Sequence, residues 1–342
     1  MNKTDFELLV AIEKTMAEGD MAYSHIELAE AYKNLQKMYA GLKHTILRKK
    51  DLSMGLPAFL LSIQVELAAY LRTRMPATFA VANKILKQMF SFKLSKKIES
   101  ILDLGTGTGA VLWAAMKNTN LSEVSALDQD AAMIKLAQKV AGYSTNPFWQ
   151  RVNWKHMNID KNLELPSHDL VTLSYFLIEQ QKDLRQTLFE KVWVLANQAI
   201  VIIEPGTPKG FSNCMEARDF FLSKGGFIAA PCSHHGRCPI HNNNDDWCHF
   251  AERIERSFWQ KSLKKGTLGY EDEPYSYLII TKEVVDREGD RILKSPSKHS
   301  GHILFDVCAS DNIKKITISR KQGSVFKTAK KMKWGEALEI PR

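Results

Sequence analysis

The sequence predicts an α/β protein with a mostly parallel, doubly wound sheet, preceded by a helical region and followed by a small, basic, β-rich extension. Three observations predict this fold. Apolar residues recur at helical spacing up to residue 97, short apolar runs alternate with helical segments over 98–285, and the remaining residues combine strand-like runs with many lysines and arginines. We therefore divide the 342 residues into 1–97, 98–285 with a cysteine-rich insertion at 230–250, and 286–342.

Helices are expected throughout the N-terminal region. The spacing of apolar residues predicts one helix near 6–16, a second near 26–39 and a third near 57–70. Pro57 suits the first turn of the third helix, because the N–H group that proline lacks has no helical partner there. A basic turn at 71–80 is expected to precede a further helix.

The central region alternates strands with helices. Helices are predicted to begin near Ala110 and Ala131. The predicted strands of this region are 101–104, 124–128, 152–154, 170–174, 199–204 and 273–280, the last of which would close the same sheet. Three more strands are predicted in the C-terminal extension, at 302–308, 313–320 and 324–330. Because strands that alternate with helices pair in parallel, the central region should form one doubly wound sheet.

The overall composition is that of an ordinary soluble globular protein, with 44% hydrophobic and 25% charged residues. It contains no apolar run long enough to cross a membrane. Residues 1–7 include two acids and no apolar stretch, so we expect neither a secretory signal nor a transit peptide, and the expected location is the cytoplasm. In that reducing compartment, clustered cysteines are expected to be metal ligands or redox groups rather than disulfides.

The net charge of +9 is unevenly distributed. Residues 291–342 carry 12 Lys and Arg against 4 Asp and Glu, a net charge of +8, whereas the other 290 residues carry 35 against 34, a net charge of +1. A basic extension on a nearly neutral body favours a polyanionic partner, most simply a nucleic acid.

A glycine-rich loop joins the first predicted strand to the helix that follows, at residues 103–109 with the sequence Asp-Leu-Gly-Thr-Gly-Thr-Gly. Glycines let the backbone turn tightly and approach a ligand, and the helix N-terminus offers free N–H groups. The glycines alone also satisfy the dinucleotide fingerprint. However, Asp103 favours an amine-bearing cation over a pyrophosphate, which it would repel. Asp128, at the end of the next strand, is placed to accept hydrogen bonds from ribose hydroxyls.

This arrangement resembles the S-adenosylmethionine-dependent methyltransferases of the Rossmann-like class over roughly residues 98–285. By that resemblance, Asp128 would hold the ribose, and Asn158 or Asp160 would bind the adenine edge. The methionyl part would be held by Asp103, Gly105, Thr106, Gly107 and Gly109.

No catalytic residue is identified. Residues 173–177, Leu-Ser-Tyr-Phe-Leu, end the fourth predicted strand, where many such enzymes carry a side chain that handles the acceptor atom. They lack the Asn/Asp-Pro-Pro-aromatic pattern of many amine methylases. Ser174 and Tyr175 could line an acceptor pocket, but packing at the strand end is the favoured interpretation. Enzymatic activity is therefore left open.

Three cysteines lie close together in a turn-rich, charged stretch, at Cys232, Cys238 and Cys248. Their C-x5-C-x9-C spacing lacks the C-x2–4-C pair of most structural zinc sites. Iron–sulfur clusters accept looser spacing, and their fourth thiolate often comes from far away in the sequence; here Cys308 is the candidate. The pattern therefore favours a soft-metal site, with iron–sulfur preferred slightly over zinc.

Several alternatives stay open for this segment. His234, His235 and His249 are consistent with a Cys3His zinc site. Free thiols or a redox pair would also fit the spacing. Cys214, the fifth cysteine, is interpreted as a small core residue on a helix.

Longer segments carry a more specific resemblance, from about residue 55 onward. They resemble the methyltransferase-like assembly factors of the mitochondrial small ribosomal subunit and the bacterial relatives of these factors. The matching segments are Arg-Met-Pro-Ala-Thr-Phe-Ala at 74–80, Glu-Pro-Gly-Thr-Pro-Lys-Gly-Phe at 204–211, Ala-Pro-Cys at 230–232, Cys-Pro at 238–239, Trp-Cys-His-Phe at 247–250, Tyr-Ser-Tyr-Leu at 275–278, Gly-His-Ile-Leu-Phe-Asp-Val-Cys at 301–308 and Lys-Trp-Gly at 333–335.

This resemblance implies a [4Fe–4S] cluster on Cys232, Cys238, Cys248 and Cys308. It also implies binding to the small-subunit rRNA during assembly, between head and body, with neither DNA nor a membrane as partner. Without a transit peptide, a bacterial-type member is expected; a eukaryotic member would act in the mitochondrial matrix. The alternative is an active rRNA methyltransferase with a structural metal site. Radical chemistry is disfavoured, because the C-x3-C-x2-C triad is absent and four protein thiolates leave no iron free for the cofactor.

Overall fold

A computed structural model describes residues 3–18, 23–37, 56–159, 164–241, 246–286, 289–309 and 312–338. These residues form ten α-helices: α1 (Lys3–Ala17), α2 (His25–Lys37), α3 (Leu56–Thr73), α4 (Met75–Met89), α5 (Ala110–Asn118), α6 (Ala131–Ala141), α7 (Arg185–Leu195), α8 (Pro208–Ser223), α9 (Phe258–Leu263) and α10 (Ser324–Ala329). They also form thirteen β-strands: β1 (Ser100–Leu104), β2 (Glu123–Asp128), β3 (Val152–His156), β4 (His168–Ser174), β5 (Ala196–Pro205), β6 (Phe227–Ala230), β7 (Phe250–Glu255), β8 (Tyr270–Thr281), β9 (Asp290–Ile292), β10 (Ser297–Lys298), β11 (His302–Ala309), β12 (Asn312–Ser319) and β13 (Ala337–Leu338). None of the described helices is long and apolar enough to span a membrane.

The larger sheet has the strand order β3-β2-β1-β4-β5-β8-β6, with β7 paired to β8. The pairs β2–β3 and β4–β5 are parallel, whereas β8 runs antiparallel to both β5 and β6. A dinucleotide-binding sheet has the strand order 3-2-1-4-5-6. The larger sheet differs from that order by the antiparallel strand β8, which lies between β5 and β6. This is the Rossmann-like α/β fold of the S-adenosylmethionine methyltransferases. The predicted sheet is confirmed, and the predicted strand at 273–280 belongs to it, although it lies between β5 and β6 and not at an edge. Strands β6 and β7 were not predicted.

The central strands are apolar without alternation. Residues 199–203 of β5, Ala-Ile-Val-Ile-Ile, are all buried, and so are residues 101–104 of β1. Continuous burial of this kind is typical of strands whose two faces are both covered, as in a parallel sheet between helix layers. The polar residues that matter for function therefore lie at strand ends and in the loops that follow.

The smaller sheet has the order β10-β11-β9-β13, with β12 paired to β11. Strands β11 and β12 pair antiparallel over their whole length, from His302 opposite Ser319 to Ala309 opposite Asn312. One apolar cluster includes residues of β9, β11 and β12 together with α10. The predicted β-rich extension is therefore confirmed, and its strands at 302–308 and 313–320 correspond to β11 and β12.

The prediction of a strand at 324–330 is wrong, because Ser324–Ala329 forms helix α10. Phe326 and Ala329 are three residues apart, and both are buried. A strand would direct them to opposite faces, whereas a helix directs them to the same side. The helical period thus lets both side chains join the apolar cluster of the smaller sheet, while Lys327 and Lys330 stay exposed.

The chain divides into two compact units. The first consists of Met1–Lys87, Leu102–Ile159 and Arg253–Asp272. The second consists of Gln88–Ile101, Asp160–Glu252 and Glu273–Arg342. The three-part division made from the sequence stays a prediction. The glycine-rich loop belongs to the first unit and the cysteine-rich insertion to the second.

The N-terminal helices of the first unit follow the predicted pattern. Leu8 and Ile12 of α1 and Leu28 of α2 are buried, as their helical spacing indicates. The second predicted helix ends at Lys37 in the structure, and residues 38–39 lie outside the described residues. At the other end of this region, the guanidinium of Arg72 stacks 3.7 Å from the ring centroid of Trp259, which fixes α9 against α3.

Candidate functional site

The loop between β1 and α5 turns through three glycines with positive φ. Gly105, Gly107 and Gly109 have φ values of 73°, 53° and 79°, a region that other residues rarely adopt. The N–H groups of Gly105 and Thr106 both donate to the carbonyl of Leu127, at 2.8 and 2.9 Å. The backbone itself therefore requires the glycines that the sequence provides, and it ties the loop to β2.

Asp128 ends β2 directly beside this loop. Its Oδ2 atom accepts a hydrogen bond from the N–H of Gly107 at 2.8 Å, and its Oδ1 atom accepts one from the N–H of Asp130 at 2.9 Å. Burial raises the pKa of the Asp128 carboxyl above its ordinary value, although these N–H groups oppose the shift. Two of the predicted binding residues, Gly107 and Asp128, are thus in direct contact.

The candidate adenine-binding residues follow β3. The N–H of Met157 donates to the carbonyl of Asp128 at 3.0 Å, which holds the end of β3 against the end of β2. Asn158 is the next residue and is exposed. Asp160, the other candidate, lies outside the described residues.

The loop leaves polar groups and space for a ligand. The Oγ1 atom of Thr106 is buried and has no hydrogen-bond partner among the described residues. Among the described residues, the only atom within 4.0 Å of a Cβ atom added at Gly107 is the hydroxyl oxygen of Tyr70. Asp103 is fully buried at the end of β1. Carboxylates on both sides of an open glycine turn fit a ligand that carries an amine and ribose hydroxyls.

Aromatic side chains that the sequence reasoning missed border the same loop. A Cβ atom at Gly109 would lie 3.5 Å from the ring of Trp154. Trp154 in turn stacks on Trp149, with ring centroids 6.2 Å apart and planes within 7°. The place of Trp154 in the third predicted strand could have identified it, because the carboxyl ends of parallel strands lie at one edge of the sheet, where ligands bind.

The end of β4 carries backbone strain. Tyr175 has φ of 55°, although it is not a glycine, and its N–H donates to the carbonyl of Ile203 at 2.6 Å. The Oγ atom of Ser174 is buried without a hydrogen-bond partner in the described part of the chain. The interpretation of Ser174 and Tyr175 as strand-end packing stays a prediction.

A buried carboxylate, which sequence reasoning also missed, lies near the end of β5. Glu204 is fully buried and accepts hydrogen bonds from Nδ2 of Asn213 at 2.8 Å and from the N–H of Leu177 at 2.9 Å. Arg185 donates to Oδ1 of Asn213 at 2.8 Å and to Glu216 at 2.9 Å. Burial raises the pKa of Glu204 to about 7, despite these donors.

All four predicted metal ligands line one cavity in the second unit. Its volume is about 30 Å³. Cys232 follows β6, Cys238 lies in the next turn, Cys248 precedes β7, and Cys308 is part of β11. Segments that are distant in the sequence are therefore brought to one place. Cys214 of α8 is buried, as expected, but it lines the same cavity.

Hydrogen bonds hold the cysteine segments in place. The hydroxyl of Ser233 donates to the carbonyl of Cys308 at 2.9 Å, and Nε2 of His234 lies 3.5 Å from the Sγ atom of Cys308. The hydroxyl of Ser276 donates to the carbonyl of Cys248, also at 2.9 Å. These bonds fix the backbone positions of Cys248 and Cys308 at the cavity.

The thiols share a largely apolar environment. Burial raises the pKa of Cys248 well above its ordinary value and that of Cys308 to about 12, and the neighbouring thiols add to both shifts. Such cysteines are uncharged at neutral pH unless a metal displaces their protons. Among the described residues, no group of three or more Cys, His, Asp or Glu converges on a point as a single metal ion requires.

Comparisons with known proteins agree on one protein family. The chain matches the protein-family model described as mitochondrial small ribosomal subunit Rsm22 over residues 64–339. It is 24% identical over 294 residues to the human ribosome assembly protein METTL17, mitochondrial, which covers 79% of this chain and 62% of that protein. It is 25% identical over 334 residues to the Rsm22-cox11 tandem protein 2, mitochondrial, of Schizosaccharomyces pombe, which covers 80% of this chain and 43% of that protein. The chain thus spans less than two thirds of the length of these relatives.

Solved structures resemble the chain at lower sequence identity than these relatives do. The fold assignment therefore rests on the strand order of the larger sheet and not on these structures. A putative RNA methyltransferase from Pyrococcus horikoshii has a TM-score of 0.39 and 13% identity, covering 76% of this chain and 98% of that one. Magnesium protoporphyrin IX methyltransferase from Synechocystis PCC 6803 has a TM-score of 0.40 and 10% identity, covering 61% and 82%. The family match extends over most of the chain, including both the glycine-rich loop and the cysteine cavity. The chain therefore belongs to the mitochondrial small ribosomal subunit Rsm22 family.

Proposed function

We propose that this protein is an assembly factor of the small ribosomal subunit. It binds S-adenosylmethionine on its methyltransferase fold, holds a [4Fe–4S] cluster and contacts rRNA. The observation that carries the proposal is the convergence of Cys232, Cys238, Cys248 and Cys308 on one cavity, in a family named for the small ribosomal subunit. The mitochondrial names of the relatives favour the mitochondrial matrix in a eukaryote, and the cytoplasm is the equivalent location in a bacterium.

The glycine-rich loop supports the cofactor part of the proposal. Asp103 attracts the amine of the methionyl group, and the glycine turn leaves space for a ligand at Gly107. Asp128 accepts hydrogen bonds from the ribose hydroxyls, and Asn158 or Asp160 binds the adenine edge. When bound, S-adenosylmethionine supplies an electrophilic methyl group.

The cysteine cavity supports the cluster part. Soft thiolate ligands suit an iron–sulfur cluster or zinc. The C-x5-C-x9-C spacing lacks the close cysteine pair of most structural zinc sites, and a distant fourth cysteine on the same cavity suits a cluster. We therefore favour the cluster over zinc.

The basic extension supports the rRNA part. Lys314 and Lys315 are exposed on β12, and Lys330 and Lys331 are exposed at the end of α10. Each lysine that contacts a phosphate releases counterions, which strengthens binding at low salt without specifying a base. The family name then favours small-subunit rRNA over other polyanions.

The test is depletion of the protein followed by complementation. Depletion should lower the ratio of mature small to large subunits in sucrose gradients, and the wild-type chain should restore it. Cys308→Ala should fail to restore it, whereas Cys214→Ala, which removes a thiol from the same cavity wall, should succeed. Normal small-subunit levels after depletion would contradict the proposal.

An active S-adenosylmethionine-dependent rRNA methyltransferase with a structural metal site is the second candidate. The strained backbone of Tyr175 favours it, because strain of this kind concentrates at functional sites. With labelled S-adenosylmethionine, the wild-type protein should then transfer labelled methyl groups to the rRNA of small subunits from depleted cells, whereas Asp103→Ala should transfer none. Identical methylation of rRNA with and without the protein would exclude this activity.

A further inference from the structure

A histidine lines the cysteine cavity together with the four candidate ligands. This residue, His234, is buried, with 8% of its surface exposed. The sequence offers three histidines as possible metal ligands, but His235 and His249 are not among the described residues that line the cavity. His234 is therefore the member of this set whose side chain can act on a centre bound there.

The imidazole of His234 lies beside the most distant candidate ligand. Its Nε2 atom is 3.5 Å from the Sγ atom of Cys308, a hydrogen-bonding distance for sulfur. Cys308 is also only 8% exposed. Because water is largely excluded from both side chains, a hydrogen bond between them is electrostatically stronger than one at the protein surface.

Hydrogen bonds hold the backbones of both partners. The guanidinium of Arg218 donates to the carbonyl of His234 at 3.2 Å and to that of Gly236 at 2.7 Å. The hydroxyl of Ser233 donates to the carbonyl of Cys308 at 2.9 Å, and Cys308 itself belongs to the paired strand β11. The two backbones are therefore fixed relative to each other, and the imidazole spans the distance between them.

The chemistry of a ligated cysteine decides which atom donates. A metal-bound thiolate has no proton, so its sulfur can only accept, and Nε2 of His234 must carry the hydrogen. We infer that His234 is a positioning residue that donates an Nε2–H hydrogen bond to the sulfur of Cys308 in the metal-bound centre. Hydrogen bonds to the ligand sulfurs help to set the reduction potential of a cluster. This inference rests on the cluster proposed above.

The test compares variants of full-length protein purified anaerobically. His234→Leu removes the hydrogen bond at similar volume, whereas His234→Gln keeps an N–H donor at a similar distance from the backbone. His249→Leu is the matched control, because His249 also adjoins a candidate ligand in the sequence but is not a lining residue. The measurements are iron and acid-labile sulfide per chain, the rate of iron release to a chelator and the midpoint potential of the cluster.

His234→Leu should shift the midpoint potential to more negative values, because reduction adds a negative charge that the Nε2–H group stabilises. It should also release iron several-fold faster than wild type. His234→Gln should restore most of the wild-type potential, and His249→Leu should leave the potential unchanged. A wild-type potential in His234→Leu would overturn the inference and leave the cluster proposal standing.

Pulsed electron paramagnetic resonance of the reduced cluster distinguishes a hydrogen-bond donor from a ligand. In wild-type protein with heavy nitrogen in histidine alone, we expect a weak nitrogen coupling, which His234→Leu should remove. A strong coupling, typical of imidazole bound to iron, would overturn the inference, because His234 would then be a ligand. If His234→Leu holds too little cluster for a potential, the wild-type coupling decides between the two roles. A wild-type chain without iron or sulfide would overturn the cluster proposal itself, and the inference with it.

Discussion

The Sγ atom of Cys308 lies 3.5 Å from Nε2 of His234, although 74 positions separate the two residues in the sequence. The hydroxyl of the adjacent Ser233 donates to the carbonyl of the same cysteine. The cysteine-rich loop and strand β11 are therefore joined by side-chain and backbone contacts at one point. The first prediction depends on this junction.

Cys308→Ala should abolish the metal centre. Removal of one of four ligands opens the site, whereas Cys214→Ala should leave iron content near that of wild type, since Cys214 is not in the proposed ligand set. Iron and acid-labile sulfide are measured on anaerobically purified protein, which should be brown with the two elements in equal amounts. Colourless wild-type protein that carries stoichiometric zinc would contradict the prediction.

Gly107→Val should weaken S-adenosylmethionine binding at least about tenfold, a loss of roughly 1.4 kcal/mol. A valine is strained at the φ of 53° that Gly107 adopts, and its side chain would occupy the space above the loop. Gly323→Val is the matched control, because Gly323 has a φ of 58° and open space around it, on the smaller sheet. Calorimetric titration measures both affinities. Equal affinity in the two variants would place the cofactor elsewhere.

Replacement of Lys314, Lys315, Lys330 and Lys331 by Glu should weaken binding to a small-subunit rRNA fragment. It should also flatten the dependence of log Kd on log salt, since the slope scales with the number of phosphates neutralised. Filter binding over a range of salt concentrations measures both quantities.

A second quadruple variant controls for net charge in that experiment. Lys33, Lys96, Lys97 and Lys135 are also exposed, and they lie outside the basic extension. Their replacement by Glu changes the net charge equally. If both quadruple variants lowered affinity and slope to the same extent, the extension would not be the rRNA-binding surface.

Glu204 should make stability depend on pH. Its pKa of about 7 in the folded chain exceeds the ordinary value of 4.5, so its contribution is complete below about 4.5 and is lost as the pH rises through about 7. The loss is up to about 3 kcal/mol, from roughly 1.4 kcal/mol for each unit of pKa shift. Glu204→Gln should therefore gain stability relative to wild type between pH 5 and about 8.

Urea unfolding at a series of pH values measures this difference. Glu216→Gln is the control, because Glu216 belongs to the same network through Arg185 but is partly exposed. Because Glu216→Gln leaves Glu204 in place, this variant should lose stability over the same pH range as wild type. Parallel curves for Glu204→Gln and wild type would show that Glu204 stays charged throughout.

Local sequence patterns predicted the helices and strands in which apolar residues recur with a helical or a strand period. Strands β1 to β5 and β8 of the larger sheet, the glycine-rich loop and the placement of Asp128 beside Gly107 follow from such patterns, whereas β6 and β7 were not predicted. The helix α10 was missed because its short run of Val325, Phe326 and Ala329 fits either period. Strands β9 and β13 contain three and two residues, too few to show any alternation.

The surroundings of the cysteine cavity could not be predicted in the same way. Arg291 contacts Pro231 only because β9 pairs with β11, and the sequence contains no local sign of that pairing. Cys214 lies on α8, where its helical position indicates burial but not the cavity that it lines. These contacts depend on the strand topology, which brings together residues that are far apart in the sequence.

The position of Cys308 also has a consequence for synthesis of the chain. Cys232, Cys238 and Cys248 leave the ribosome well before Cys308, which follows Cys248 by about sixty residues. Cys308 lies within β11, which pairs with both β9 and β12. A chain that stops short of β12 would lack that support and could not close the cavity. Completion of the proposed metal centre would thus report that translation has passed β12.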